Sequence, residues 1–273
     1  MNLSDRVLDY LQERRNNLVN GKINSIPSPF KRFSSEFIGI EQGKYVVVTG
    51  STKSGKTQFA SFLFIYNTLL YAYNNPDELR LKIFYYALEE SPQDIIIRFI
   101  SYLLFKLYNI RISPVDLQSS NNEKPVPQEI IDKINSEEFQ EYLEFFESHV
   151  QFSQSRNPTG VYAEVTRYME ENGTTHYRKQ KVKDEFVGTK EVDVFDYYEP
   201  NDPDEYVLIF WDHASLTQPE RGMTLKQSVD KLSEYFVLLR NKYKVSPILI
   251  QQQAFNTCIV QIFFISLQKN TKI

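Results

Sequence analysis

The sequence predicts an α/β protein built on a mainly parallel sheet with helices on both faces. Three observations carry that expectation. Short apolar runs at residues 45–49, 81–87, 206–211 and 248–252 alternate with longer stretches of helical spacing. Fully apolar strands interleaved with helices imply a parallel sheet covered on both sides. The first run passes directly into Gly50-Ser51-Thr52-Lys53-Ser54-Gly55-Lys56-Thr57 and then into a helical stretch, the strand–loop–helix order of a phosphate-holding loop. At 273 residues, with 41% hydrophobic and 24% charged side chains, the chain has enough apolar material for one large domain or two small ones.

Taken in order, residues 4–20 read as an amphipathic helix. Ser4 stands as its cap, Val7, Leu11 and Leu18 as its stripe, and Gly21 as its stop. A Ser/Pro-rich stretch at residues 25–29 reads as a linker. This gives an N-terminal linker helix over 1–26 and a core over 27–255. Within the core, strand 45–49 leads to a helix over 56–73 and a second strand over 81–87. Ser91-Pro92-Gln93-Asp94 is a helix start with Pro at the first position, opening a helix to about Tyr108. A polar loop at 119–127 precedes helical segments to about 148, a short strand at 150–153, and a helix over 158–172 ended by Gly173. Two polar, alternating runs, 175–183 and 190–198, predict a β-hairpin inserted over 175–198. Strand 206–211, helix 224–243 and strand 248–252 complete the core. Residues 256–273 form an atypical tail with an apolar run at 259–267 and no Arg.

Composition excludes several classes. A net charge of −4 and a sequence pI of about 5.6 do not favour nucleic acid over the molecule as a whole, so any such contact needs a local basic patch. The single cysteine, Cys258, permits neither an intrachain disulfide nor a Cys-based zinc site and fits a reducing compartment. Residues 1–17 are charged throughout and lack the apolar core of a signal peptide. The longest apolar stretch, 95–108, is broken by Arg98 and Lys106 and is too short to span a bilayer. The expectation is a soluble cytoplasmic protein (host cytoplasm if the source is viral) with no membrane partner.

Four features carry chemistry. In the loop 50–57, Gly50 and Gly55 let the backbone curl so that its N–H groups face phosphate, and the following helix adds its positive end. Lys56 is placed to neutralise β- and γ-phosphate oxygens, and Thr57 to offer its hydroxyl to Mg²⁺. Asp212 ends the apolar strand 206–211, where an acid holds Mg²⁺ or its water in proteins with such a loop; the alternative is a helix or turn cap. Glu89 and Glu90 follow strand 81–87, at the end where ligands sit in open α/β sheets. A carboxylate there can polarise an attacking water or simply favour the next helix's N-terminus. Gln251, Gln252 and Gln253 end the last strand, where an uncharged amide can sense phosphate or be a solvated strand end.

In this order the features resemble the RecA-like P-loop NTPase core, specifically the C-terminal domain of DnaB-type replicative helicases (superfamily 4). Phe84-Tyr85-Tyr86-Ala87-Leu88-Glu89-Glu90-Ser91 is similar to that family's strand ending in Ser-Leu-Glu-Met-Ser, which puts the catalytic glutamate on Glu89. Leu208-Ile209-Phe210-Trp211-Asp212-His213 resembles its Walker B strand. Residues 247–253 resemble the strand with its sensor glutamine, Gln253 first and Gln252 second. The resemblance implies ATP and Mg²⁺ as cofactors, a hexameric ring, and movement along single-stranded DNA. It also implies that the N-terminal helix packs through Val7, Leu11 and Leu18 on a neighbouring subunit; packing on its own domain is the alternative. The family carries a DNA-binding loop and an arginine finger beyond the sensor strand. The tail here does not resemble that continuation, which suggests truncation or a shifted frame after about Phe255.

Two further DNA-facing candidates stand apart from the nucleotide motifs. The basic run His176-Tyr177-Arg178-Lys179-Gln180-Lys181-Val182-Lys183 in the hairpin reads either as a DNA- or partner-contacting finger or as a solvated hairpin whose strands pair opposite charges. Arg221-Gly222 lies in the loop after the Asp212 strand. The function expected is an ATP-dependent, helicase-like motor. The alternatives are a RecA- or clock-type ATPase without unwinding, and a nucleotide-binding assembly module or truncated inactive product.

Overall fold

The computed structural model describes residues 3–32, 36–184, 188–253 and 261–265. Cys258 and the rest of the tail, 254–260 and 266–273, lie outside the described residues. The helices are α1 (Leu3–Val19), α2 (Lys56–Ala60), α3 (Asn67–Asn74), α4 (Pro92–Tyr108), α5 (Pro114–Leu117), α6 (Gln128–Ile134), α7 (Glu137–His149), α8 (Pro158–Glu171) and α9 (Leu225–Tyr243). The strands are β1 (Ile26–Pro27), β2 (Gly39–Ile40), β3 (Tyr45–Gly50), β4 (Arg80–Ala87), β5 (Val150–Phe152), β6 (Gly173–Asp184), β7 (Gly188–Pro200), β8 (Glu205–Asp212), β9 (Ser246–Gln252) and β10 (Gln261–Ile265).

The central sheet has the order β10-β3-β9-β8-β4-β5. Its five strands from β3 to β5 are mutually parallel, and β10, from within the expected tail, adds an antiparallel edge beside β3. Alternate residues of each strand supply two cores, as the period-2 geometry requires. Val46, Val48, Ile83, Tyr85, Leu208, Phe210, Ile248 and Ile250 face α2, α3, α4, α6 and α7. Val47, Phe84, Tyr86, Val207, Ile209, Trp211 and Leu249 face α8 and α9. Among the described residues, no helix is long and apolar enough to cross a membrane.

Four local expectations are corrected. Ser4 lies inside the first turn of α1 and is not its cap. The far end does stop at Gly21 (φ 75°), where Lys22 N–H reaches Asn17 C=O and Gly21 N–H reaches Leu18 C=O, the paired closure of a left-handed helix end. The presumed linker at 25–29 is part of the body: Ile26 is fully buried and β1 pairs with β2. Gly39 lies so close to the Ile26 carbonyl that a Cβ has no room. The helix over 56–73 is interrupted by a π-helical segment, Ser61–Tyr66, a register that propensity does not signal. Gly173 does not end α8. Asn172 does, and Gly173 opens β6 against the Tyr198 ring.

Both α8 and α9 run back from the strand tips to the N-terminal end of the strands, where α9 leads into β9 and the hairpin into β8. The β6–β7 hairpin leaves that end, where Tyr198 stacks edge-on against Tyr243 and donates to Met169 C=O at 2.7 Å.

Candidate active site

The site forms at the C-terminal tips of β3, β4, β8 and β9. All residues of β3 are buried, so Gly50 delivers the chain to the surface at a fixed point. Lys53 (φ 61°) and Gly55 (φ 82°) take left-handed conformations, and a loop that alternates hands turns successive N–H groups toward one centre. Helix α2 begins at Lys56, with Phe59 N–H bonded to Gly55 C=O at 2.9 Å.

Lys56 is 8% exposed and its Nζ donates to Ser51 C=O at 2.6 Å, arching back over the loop. Burial pushes its pKa down, while the nearby carboxylates of Asp212 and Glu89 oppose that shift. Thr57 Oγ1 donates to Asp212 Oδ1 at 3.4 Å. Asp212 ends β8 and is 4% exposed. Burial raises its pKa, against the Thr57 hydrogen bond and the proximity of His213.

Glu89 and Glu90 point to different partners. Glu89 Oε2 lies 3.3 Å from His213 Nε2, and its side chain remains 57% exposed. Glu90 turns away into a bidentate pair with Arg98 of α4, with Nη1 to Oε1 at 2.6 Å and Nη2 on Oε2. Among the three glutamines, Gln252 Nε2 donates to Thr52 Oγ1 within the loop. Gln253 Nε2 donates to Thr49 Oγ1 at 2.9 Å, and its N–H to Gly50 C=O at 2.9 Å. Gln251 pairs with Thr49 in the ladder and is exposed. Both glutamines therefore touch the phosphate-type loop, Gln252 at the Thr52 side chain and Gln253 at the Gly50 backbone.

No protein-family model matches the chain, and no curated protein matches it in sequence. Its shape does match: a solved DnaB-like replicative helicase, studied with its primase interactions, superposes with a TM-score of 0.54 at 12% identity over 92% of this chain. The fold is RecA-like. The chain spans about half of that neighbour, covering 48% of it.

Within this RecA-like frame, the donor set suits a hard divalent cation. The Thr57 hydroxyl and the Asp212 carboxylate lie together and offer oxygen donors, the type a hard divalent cation takes. Mg²⁺ needs few protein ligands when phosphates and waters complete its shell.

Two neighbours of the site were not singled out from sequence. His213 directly follows Asp212, and its buried Nδ1 makes no hydrogen bond. Arg98 lies about two turns into α4 and reaches back eight residues to Glu90, which precedes the helix, so no helical spacing marks the pair in sequence. The other DNA-facing candidates divide between the two ends of the sheet. Arg221 and Gly222 (φ 79°) are exposed in the loop after β8. That loop is fastened by Gln218 N–H to Arg156 C=O at 2.7 Å and by Thr159 N–H to Glu220 Oε1 at 2.8 Å. The hairpin lies at the other end, where β7 leads into β8.

Proposed function

We propose that this chain is the Mg²⁺-dependent ATPase core of a helicase-type motor acting on single-stranded DNA. The observation that carries the reading is the meeting of Lys56, Thr57, Asp212 and Glu89 at the tips of parallel strands. In this reading the N–H groups of residues 50–57 cradle the triphosphate, and Lys56 exchanges the Ser51 carbonyl for β/γ oxygens. Thr57 and Asp212 hold Mg²⁺, which neutralises phosphate charge when bound. Glu89 orients the attacking water and accepts its proton. Gln253, the residue the family resemblance selects as sensor, links β9 to the loop through Gly50 and Thr49, and Gln252 reaches Thr52 beside it.

Self-association completes the proposal. Helix α1 is held to the body by polar contacts, Arg14 to Glu41 at 2.7 Å and Asn24 to Arg14 C=O at 2.8 Å. Its Val7, Leu8, Leu11 and Leu18 remain exposed, an apolar stripe suited to a second copy in a ring, hexameric as in DnaB-type helicases. Arg221 supports the DNA part by its exposed place beside the strand tips.

ATP turnover measured against added single-stranded DNA tests the proposal. Mg²⁺-dependent hydrolysis that rises with DNA is the expected result. ATP binding without hydrolysis would leave an assembly module, and DNA-stimulated hydrolysis without strand displacement would leave a RecA- or clock-type ATPase.

A further inference from the structure

We infer that Arg98 is a positioning residue for Glu89, acting through Glu90; the inference rests on the hydrolytic reading of the site. The turn after β4 is fixed at three points. Leu88 N–H bonds Asp212 C=O at 3.0 Å, tying the turn to the carboxylate strand. Glu90 is gripped by both Nη groups of Arg98. Ser91 Oγ accepts from Asp94 N–H at 3.1 Å and caps α4. Glu89 sits between the first two anchors, and its carboxylate meets only the His213 ring among the described ion pairs. Its own side chain is loosely held, so the backbone on either side must set where the carboxylate points.

The Arg98–Glu90 pair is built for that task. Arg98 is 16% exposed and Glu90 32%, and a forked guanidinium–carboxylate pair fixes orientation as well as distance. It also removes one negative charge from a turn that already carries Glu89 beside Asp212, where a triphosphate must approach. Without the pair, Glu90 becomes a second free carboxylate that competes with Glu89 for water and repels phosphate.

The test separates positioning from simple stability. Arg98→Gln alone strands a carboxylate and is expected to lower Tm. The double variant R98Q/E90Q removes both charges, so its Tm is expected to return close to that of the wild type. Its affinity for a non-hydrolysable ATP analogue should stay within about threefold, yet its kcat should remain about tenfold down, because misplacement costs rate before it costs binding. Arg98→Lys keeps the charge but not the fork, and its kcat should lie between the two. A double variant whose kcat recovers along with Tm, or whose kcat and ATP affinity fall together, overturns the inference. A wild-type chain that binds ATP but never hydrolyses it overturns the hydrolytic reading as well, which separates the two failures.

Discussion

The two ends of the central sheet treat charge in opposite ways. At the hairpin end, charges answer one another across the strands, Lys179 and Asp193 at 2.9 Å and Arg178 and Asp196 at 3.6 Å, and the His176 ring lies 3.1 Å from Glu199. At the strand tips, burial pushes Lys56 toward its neutral form against the Asp212 and Glu89 carboxylates, and Asp212 toward protonation against the Thr57 hydrogen bond and His213. The difference teaches where to look for chemistry. The basic run in sequence allowed either a DNA-contacting finger or a solvated hairpin that pairs opposite charges, and the ion pairs of Lys179 and Arg178 favour the second. The stronger candidate signal is the smaller set of ionisable groups held at an energetic disadvantage at the strand tips.

Breaking the strand-tip end should have the largest effects. Lys56→Ala is expected to weaken ATP binding by about 100-fold or more, since a charge-assisted contact to phosphate is lost; titration with a fluorescent ATP analogue measures it. Asp212→Asn should abolish Mg²⁺-dependent turnover and still raise Tm by a few degrees, because a buried charge is replaced by a neutral amide. The pH dependence has a definite sign. The folded pKa of Asp212 is raised, so the stability of the protonated form is fully present below the usual carboxylate value. It is lost as pH rises through the folded value. The Tm advantage of Asp212→Asn should therefore grow with pH across that window and level off above it.

The hairpin end should respond least. Replacing both Lys179 and Asp193 with Ala should cost no more than roughly 1 kcal/mol, as for exposed ion pairs generally, and leave ATP turnover unchanged. A large loss of turnover in that variant would return the hairpin to the functional account.

Much of this was legible in the sequence. The strands announce themselves as apolar runs. Gly50, Gly55 and Lys56 mark the loop by their spacing, and Gly55 takes the left-handed conformation that favours glycine. Strand order was not legible, since nothing local in residues 261–265 says that they pair with β3. Ile26 pairs through a strand of two residues, too short for periodicity to register. The choice between Glu89 and Glu90, or Gln252 and Gln253, lies beyond the regular alternation of their strands. What distinguishes them in the structure is their partners, Arg98, His213, Thr52 and Thr49, which other elements supply.

The most direct measurement compares Glu89→Gln with Glu90→Gln under single-turnover conditions with Mg²⁺-ATP bound. Loss of the water-orienting carboxylate should slow hydrolysis by about 100-fold or more in Glu89→Gln with ATP affinity retained, whereas Glu90→Gln should lose about tenfold or less. Normal turnover in Glu89→Gln, or the larger loss in Glu90→Gln, would contradict the account.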